Sequence, residues 1–385
     1  MSEVVLKDNT ETRTHGVRRT IDWIMFAAIV PILGAGLVTM NSFSGNSVFF
    51  SRQLIWITIA FCLFFGLSFV DFRFLKRTRV IVALYAIAAG LLVLLFIVGH
   101  IAKGAQSWFH FGFFSVEPSD PAQIMLILLL AKYFSRRHIE IANIRHILVS
   151  GFYAFSIFIL ILVQPDFGAA IIIFCIWFGM VLVSGISKKH LLLVFLVVTV
   201  SFASLWFFVF HDYQKQRIKT FIHPLADIHG AGYNAYQSTI AVGSGKILGK
   251  GIGYGTQSKL NFLPEYQTDF IFAAFAEEWG FVGAVILFVL YGIVIVRILQ
   301  NALYGSSNFE VLYAAGIAIF FMTHLFINIG MNIGLLPVTG VTIPFMSYGG
   351  SHLLTEFMAL GILMGMRRYR RPVHRDDVKN EFIGI

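Results

Sequence analysis

The chain has 385 residues, of which 57% are hydrophobic and only 13% charged, and its mean hydropathy is +0.79. That is far too apolar for a soluble domain of this length, so the composition points to an integral membrane protein. The basic surplus, 29 Lys and Arg against 20 Asp and Glu, is spread between apolar runs instead of forming one stripe, which argues for membrane topology and against a nucleic-acid partner.

In chain order, residues 1–20 are polar and basic and are expected to form a cytoplasmic tail outside the fold. The apolar run that follows continues for a full span without a small-residue cleavage site, so it is expected to be an anchor and not a cleaved signal. Apolar runs occupy 23–40, 54–70, 80–98, 122–134, 147–163, 167–183, 191–210, 269–296, 312–329 and 353–366. Most approach the roughly 20 residues that cross ~30 Å of hydrocarbon. They predict an all-α protein with ten transmembrane helices in a membrane domain over 21–371, followed by a second cytoplasmic tail at 372–385. Charge sets the orientation: with both termini cytoplasmic, 21 Lys and Arg fall on the inner side and eight on the outer. Cys62 and Cys175 both lie inside apolar runs and are assigned packing roles, since a disulfide framework is implausible there.

Residues 211–268 form the long extracytoplasmic loop between helices 7 and 8. The loop is rich in glycine and poor in large apolar residues, which predicts half-helices and turns at a cavity mouth and not a folded domain. Its GSGKILGKGIGYG run, with Lys246 and Lys250, is a candidate anion-binding nest. No strand precedes it, so a nucleotide phosphate loop is disfavoured.

The stretch 261–280, NFLPEYQTDFIFAAFAEEWG, sets acids against lipid, where an ionised side chain costs about 2.5–3.5 kcal/mol or more and marks a functional candidate. Pro264 stops any upstream helix, and Thr268 suits an N-cap for one starting at Asp269. Asp269 would then sit in the first turn, where the helix dipole favours its anion and burial opposes it. Ala273, Ala276 and Gly280 share its face and would offer either a groove or a plain small-residue helix contact.

Other polar residues gather toward the same side. Asp166, in QPD between helices 5 and 6, is a candidate site residue or a simple N-cap. Residues 106–120 read as an interfacial loop in which Ser119 or Asp120 caps helix 4 before Pro121. Residues 334–351, GLLPVTGVTIPFMSYGGS, suit an uncharged re-entrant loop lining the cavity. No internal repeat, metal-ligand spacing, Ser-His-Asp order or nucleotide motif is visible. An outward pocket with acids, bases and glycine turns would suit an amphiphile with a phosphate-bearing head and a tail in lipid.

The stretches AYQSTIAVGSGKILGKGIGYGTQ, NFLPEYQTDFIFAAFAEEWG, QPDFGAA and NIGMNIGLLPVTGVTIPFMSYGGS resemble the SEDS family (shape, elongation, division and sporulation), and within it the RodA branch more than the division paralogue. The resemblance implies ten helices and a glycosyltransferase that polymerises lipid II into peptidoglycan on the outer face of the bacterial cytoplasmic membrane during rod-shape elongation. It also implies a class B penicillin-binding protein as partner. It assigns Asp269 as the catalytic aspartate and places Asp166, Arg217, Ser347 and Gly349 at family positions; Glu265, Thr268, Lys246 and Lys250 complete the expected substrate-binding set. The chain departs from the family pattern at Gln267, where His is usual, at EPSDPAQ (Glu117, Asp120, Gln123), where a lysine is lost, and at Glu356.

The expected mechanism is an inverting transfer in which Asp269 takes a proton from the acceptor 4-hydroxyl as that oxygen attacks the anomeric carbon bearing undecaprenyl diphosphate. General-base help of this kind is worth roughly 10²–10⁴ in rate. Arg217, Lys246, Lys250 or a divalent cation (Mg or Mn) would stabilise the leaving diphosphate. Two alternatives are a lipid II flippase, which would need polar residues through to the inner side, and a two-carboxylate glycoside hydrolase, which would need Glu265 near Asp269.

Overall fold

The computed structural model describes residues 21–43, 48–102, 105–110, 112, 115–136, 144–208, 215, 220–222, 232–260, 262–303 and 307–368. Both expected tails fall almost wholly outside these residues, and so does Arg217.

The chain is mainly helical because apolar segments in lipid must satisfy their backbone internally. α1 (Trp23–Phe43), α2 (Val48–Ser68) and α3 (Thr78–Val98) come first, with a 3₁₀ turn over Phe72–Lys76 capped by the Asp71 carboxylate on the Arg73 amide. α4 (Ser119–Ser135), α5 (Ile144–Val163), α6 (Phe167–Val183) and α7 (Lys188–Phe208) follow. Beyond the long connection come α8 (Tyr233–Ser244), the short α9 (Thr256–Lys259), α10 (Ile271–Leu303), α11 (Asn308–Asn332) and α12 (Gly350–Arg368). Most of each apolar run of the sequence thus lies on a described helix. Six of them, α1, α2, α3, α5, α10 and α11, are long and apolar enough to cross a membrane.

α4 is the interior post of the bundle. Its residues from Ala122 to Ala131 are buried almost without exception, and α3, α6, α11 and α12 pack around it. Close approach depends on small residues, as membrane helix packing favours: Gly316 of α11 faces Ile127 and Met180, and Gly179 of α6 faces Ile319. The segment before α4, expected as an irregular loop, is instead a small antiparallel sheet of β1 (His100–Ala102), β2 (Ala105–His110) and β3 (Ser115–Val116). Phe109 pairs with Val116 and His110 with Ser115. α4 also starts without a side-chain cap, because the Asp120 carboxylate turns toward His352.

α10 is 33 residues long and broken at Gly280, whose φ of 66° and ψ of −166° leave the helical region. The part beyond the break runs to Leu303 and covers about 34 Å at 1.5 Å per residue, enough for a span by itself. The broken ladder is repaired from outside by the strap 246–251. Phe281 and Val282 donate their amides to the Lys246 and Ile247 carbonyls at 2.9 and 3.1 Å, while Lys250 and Gly251 donate to the Glu277 and Glu278 carbonyls at 3.0 Å each. Gly249 and Gly280 touch backbone to backbone, and a Cβ on either would overlap the other strand.

At the far end of α10, Asp22 is buried between two arginines. Arg297 reaches it at 2.8 Å and Arg367 at 3.2 Å, with the Asn301 amide at 3.2 Å. Burial alone would raise the Asp22 carboxyl, but hydrogen bonds from Arg297, the Met25 amide and Asn301, together with the Arg297 charge, hold it below the ordinary carboxylate range.

Candidate active site

Asp269 does not begin a helix. Residues 264–270 are a turn in which Thr268 and Phe270 donate their amides to the Glu265 carbonyl at 3.1 and 3.2 Å, and α10 starts two residues later, at Ile271. Glu265 takes a positive φ of 54°, which closes the turn directly after Pro264. The expected Thr268 cap is replaced: the Thr268 hydroxyl bonds the Glu265 carboxylate at 3.0 Å, and the Asn332 Oδ1 accepts the Ala273 amide at 3.2 Å from the neighbouring helix.

Asn328 and Asn332 of α11, four residues apart and therefore on one face, fix Asp269. Their side-chain amides donate to its main-chain carbonyl at 3.0 and 3.1 Å. Asn328 also donates to the Val341 carbonyl at 2.7 Å, and the Ser238 hydroxyl of α8 donates to the Asn332 carbonyl at 2.9 Å. Asp269 is partly exposed, and its Oδ2 lies 3.6 Å from where a Gly340 Cβ would stand. Gly340 has a φ of 78°, so the segment turns there without a side chain over the carboxylate.

The other wall is the segment 333–349 between α11 and α12. Its Val341, Ile343, Phe345 and Met346 are buried, and Phe345 rests against Phe321 and Phe357 inside the bundle. Ser347 joins the two walls: its hydroxyl donates to the Thr268 carbonyl at 2.8 Å and accepts the Ile343 amide at 3.0 Å. Tyr348 adds an amide bond to the Gln267 carbonyl at 2.8 Å, and Gly349 an amide bond to Gln53 at 3.4 Å. Ser347 is thus a buried pin between backbone groups, not a residue presented to a ligand.

Asp166 is the N-cap of α6, accepting the Ala169 amide at 3.0 Å, as the plainer of its two expectations had it. It also borders the site. Gly168 packs against the Thr339 carbonyl and Val341, and Asp166 acts electrostatically on Glu117. Burial, then the Asp120 and Asp166 carboxylates, push the Glu117 carboxyl well above its ordinary range despite a 2.6 Å hydrogen bond from the Ser119 hydroxyl.

The glycine run is not an open phosphate cradle. Glu277 Oε1 accepts Lys250 Nζ at 2.7 Å, the Thr256 amide at 2.9 Å and hydroxyl at 3.0 Å, and the Gln257 amide at 3.2 Å. Glu278 Oε1 takes the Gly253 amide. The donors of the nest close on the protein's own acids, so Lys250 serves Glu277, whereas the Lys246 side chain is exposed. Ala273 and Ala276 likewise line no groove: α8 and Gly245 cover them, with no room for a Cβ between Gly245 and the Ala276 carbonyl. Beside this contact, a cavity of about 190 Å³ opens between Thr220, Phe221, Tyr236, Thr239, Leu336 and Pro337. Among the described residues no group of three or more His, Cys, Asp or Glu side chains is placed to hold a metal ion.

Sequence reasoning passed over Asn328 and Asn332. Two amides at i and i+4 in an otherwise apolar run were the available signal, since polar side chains in such a helix must find partners.

A family model for cell cycle proteins of the FtsW/RodA/SpoVE type matches residues 16–372. The peptidoglycan glycosyltransferase MrdB of Escherichia coli K12 is 38% identical over 292 residues, 76% of this chain and 79% of that protein. Stage V sporulation protein E of Bacillus subtilis is 33% identical over 360 residues, 91% of this chain and 98% of that one. Among solved structures, a chain from work on the structural coordination of polymerization and crosslinking by a peptidoglycan synthase complex is similar at a TM-score of 0.78 and 29% identity, covering 91% of this chain and 99% of its own length. The rod shape determining protein RodA of Thermus thermophilus is similar at a TM-score of 0.68 and 28% identity, over 91% of this chain and 98% of its own. With the whole described bundle inside the matched span, this chain belongs to the FtsW/RodA/SpoVE, or SEDS, family of cell cycle proteins.

Proposed function

We propose that the chain is an inverting peptidoglycan glycosyltransferase that polymerises lipid II, with Asp269 as general base. The observation that carries this is Asp269 itself: a partly exposed acid whose main chain is clamped by Asn328 and Asn332 beside an open glycine turn. The related proteins named as peptidoglycan glycosyltransferases support the reaction class. In this proposal all ten long helices span the membrane, both termini are cytoplasmic, and the end carrying Asp269 faces outward, with 211–268 as its loop.

The acceptor sugar's 4-hydroxyl gives its proton to Asp269 while its oxygen bonds to the donor's anomeric carbon, and the bond to undecaprenyl diphosphate breaks with its electron pair leaving on the phosphate oxygen. Arg217 and Lys246 are proposed to receive that charge, because Lys250 is already engaged by Glu277. Glu265 and Thr268 shape the turn under the acceptor, with Asp166 at the rim, and Ser347 and Gly349 hold the opposing wall. A magnesium or manganese ion is the other proposed source of positive charge, although no cluster of acids among the described residues is placed to hold one. The cavity between Thr220 and Pro337, mostly apolar in its walls, suits the start of a prenyl tail. A class B penicillin-binding protein is the proposed partner, in keeping with the similar chain from a synthase complex. Rod elongation is proposed over division or sporulation on the GTQSKLNFLPE stretch.

Purified protein given fluorescent lipid II should make glycan polymer, and Asp269→Asn should not, with a loss of about 10²–10⁴ in rate. Equal polymer from both would remove Asp269 as base. Lipid scrambling without polymer from the wild type would favour a flippase.

A further inference from the structure

Behind the 333–349 wall lies a buried chain of acids and imidazoles that none of the chemistry above uses. Glu356 of α12 is fully buried, and its Oε2 accepts the Phe345 amide at 2.9 Å. Its Oε1 lies 2.9 Å from His352 Nε2, and His352 Nδ1 lies 3.1 Å from Asp120 Oδ1 on α4. The His324 ring lies tilted against His352 at 4.7 Å and bridges Gln123 and the Thr342 carbonyl at 3.2 and 3.3 Å. Burying so many polar groups in a bundle core is unfavourable unless each is paired.

Phe345 explains where the network leads. It is a bulky residue at a φ of 62°, a conformation that persists only where its surroundings impose it. The Glu356 carboxylate supports it by accepting the Phe345 amide. Two residues on, Ser347 holds the Thr268 carbonyl, and Tyr348 holds that of Gln267. The chain from Glu356 to the residue before Asp269 is therefore unbroken: carboxylate, Phe345 amide, turn, Ser347 hydroxyl, Thr268 carbonyl.

We propose that Glu356 is a positioning residue for Asp269, acting through the Phe345 amide and the Ser347 pin. This rests on the assignment of Asp269 as base. The grip on Asp269 then has two arms, the asparagines of α11 on its own carbonyl and Glu356 through the wall opposite. A misplacement of about 1 Å at a reacting group can cost on the order of 10²-fold in rate.

Two conservative variants separate this role from a merely structural one. Glu356→Gln keeps an oxygen for the Phe345 amide and loses the charge facing His352. Glu356→Asp keeps the charge and withdraws the oxygen from Phe345. Lipid II polymerisation, normalised to folded protein from detergent unfolding curves, should leave Glu356→Gln within about threefold of wild type in kcat and lower Glu356→Asp by about 10-fold or more, with KM unchanged in both. Glu356→Asp combined with Ser347→Ala should cost little more than either change alone, because both break one chain. The reverse ranking, Asp active and Gln inactive, would show that the ion pair with His352 matters and would overturn the proposal. Wild-type kcat in Glu356→Asp, or additive losses in the double variant, would overturn it too. An active Asp269→Asn would instead withdraw the base, whatever Glu356 does.

Discussion

Asp269 and Glu277 stand eight residues apart on one stretch, and the structure treats them oppositely. Glu277 is completely buried, and one of its oxygens collects a lysine, two backbone amides and two hydroxyls. At Asp269 the asparagine amides go to the main-chain carbonyl, and the residue stays partly exposed beside Gly340. An acid at membrane depth is thus not one kind of signal. A fully buried acid on which donors converge holds structure; a partly exposed one whose main chain is clamped is the acid proposed above as the base.

The contrast should show first in stability. Glu277→Ala leaves the Thr256 and Gln257 amides and Lys250 without their acceptor, and breaking a buried pair of this kind costs about 3–5 kcal/mol. Thermal unfolding in detergent should register it, with Asp269→Asn close to wild type in the same assay. Gly280→Ala forces a side chain into the Gly249 backbone at a positive φ and should cost about 1–3 kcal/mol by the same measurement, releasing the strap that cages Glu277. Asn328→Ala frees the Val341 carbonyl and leaves the Asp269 carbonyl held by Asn332 alone. It should lower kcat about 10-fold or more while costing only about 1–3 kcal/mol of stability, the reverse of the Glu277 balance.

The smallest expected effect lies at the other end of α10. Asp22 has its carboxyl lowered on folding, so its stabilisation is fully present above the unfolded value of about 3.9 and is lost as pH falls through the folded one. Unfolding midpoints should be flat from pH 7 to about pH 5 and fall below about pH 4. Asp22→Asn should flatten that fall without changing polymerisation per folded molecule.

Most of the helices, and the place of Asp269 just before one of them, were legible in the sequence, because apolar runs, prolines and an acid before a helix carry their physics locally. The break at Gly280 was not: Phe281–Val296 reads as uninterrupted, and only the 246–251 strap, distant in sequence, makes the break affordable by supplying both helix ends. The fate of the glycine run was hidden for the same reason. Its amides look free until Glu277 and Glu278 are folded against them. The role of Ser347 depends on Thr268, 79 residues away in sequence. Asp166 went the other way, since a purely local rule, the N-cap, described its hydrogen bond.

The most direct measurement is the rate of lipid II polymerisation per folded molecule for Asp269→Asn beside Glu277→Gln. The account predicts a stable Asp269→Asn protein slowed by about 10²–10⁴, and a destabilised Glu277→Gln protein whose surviving folded fraction turns over within about threefold of wild type. A fully active Asp269→Asn, or a folded Glu277→Gln that is equally inert, would contradict it.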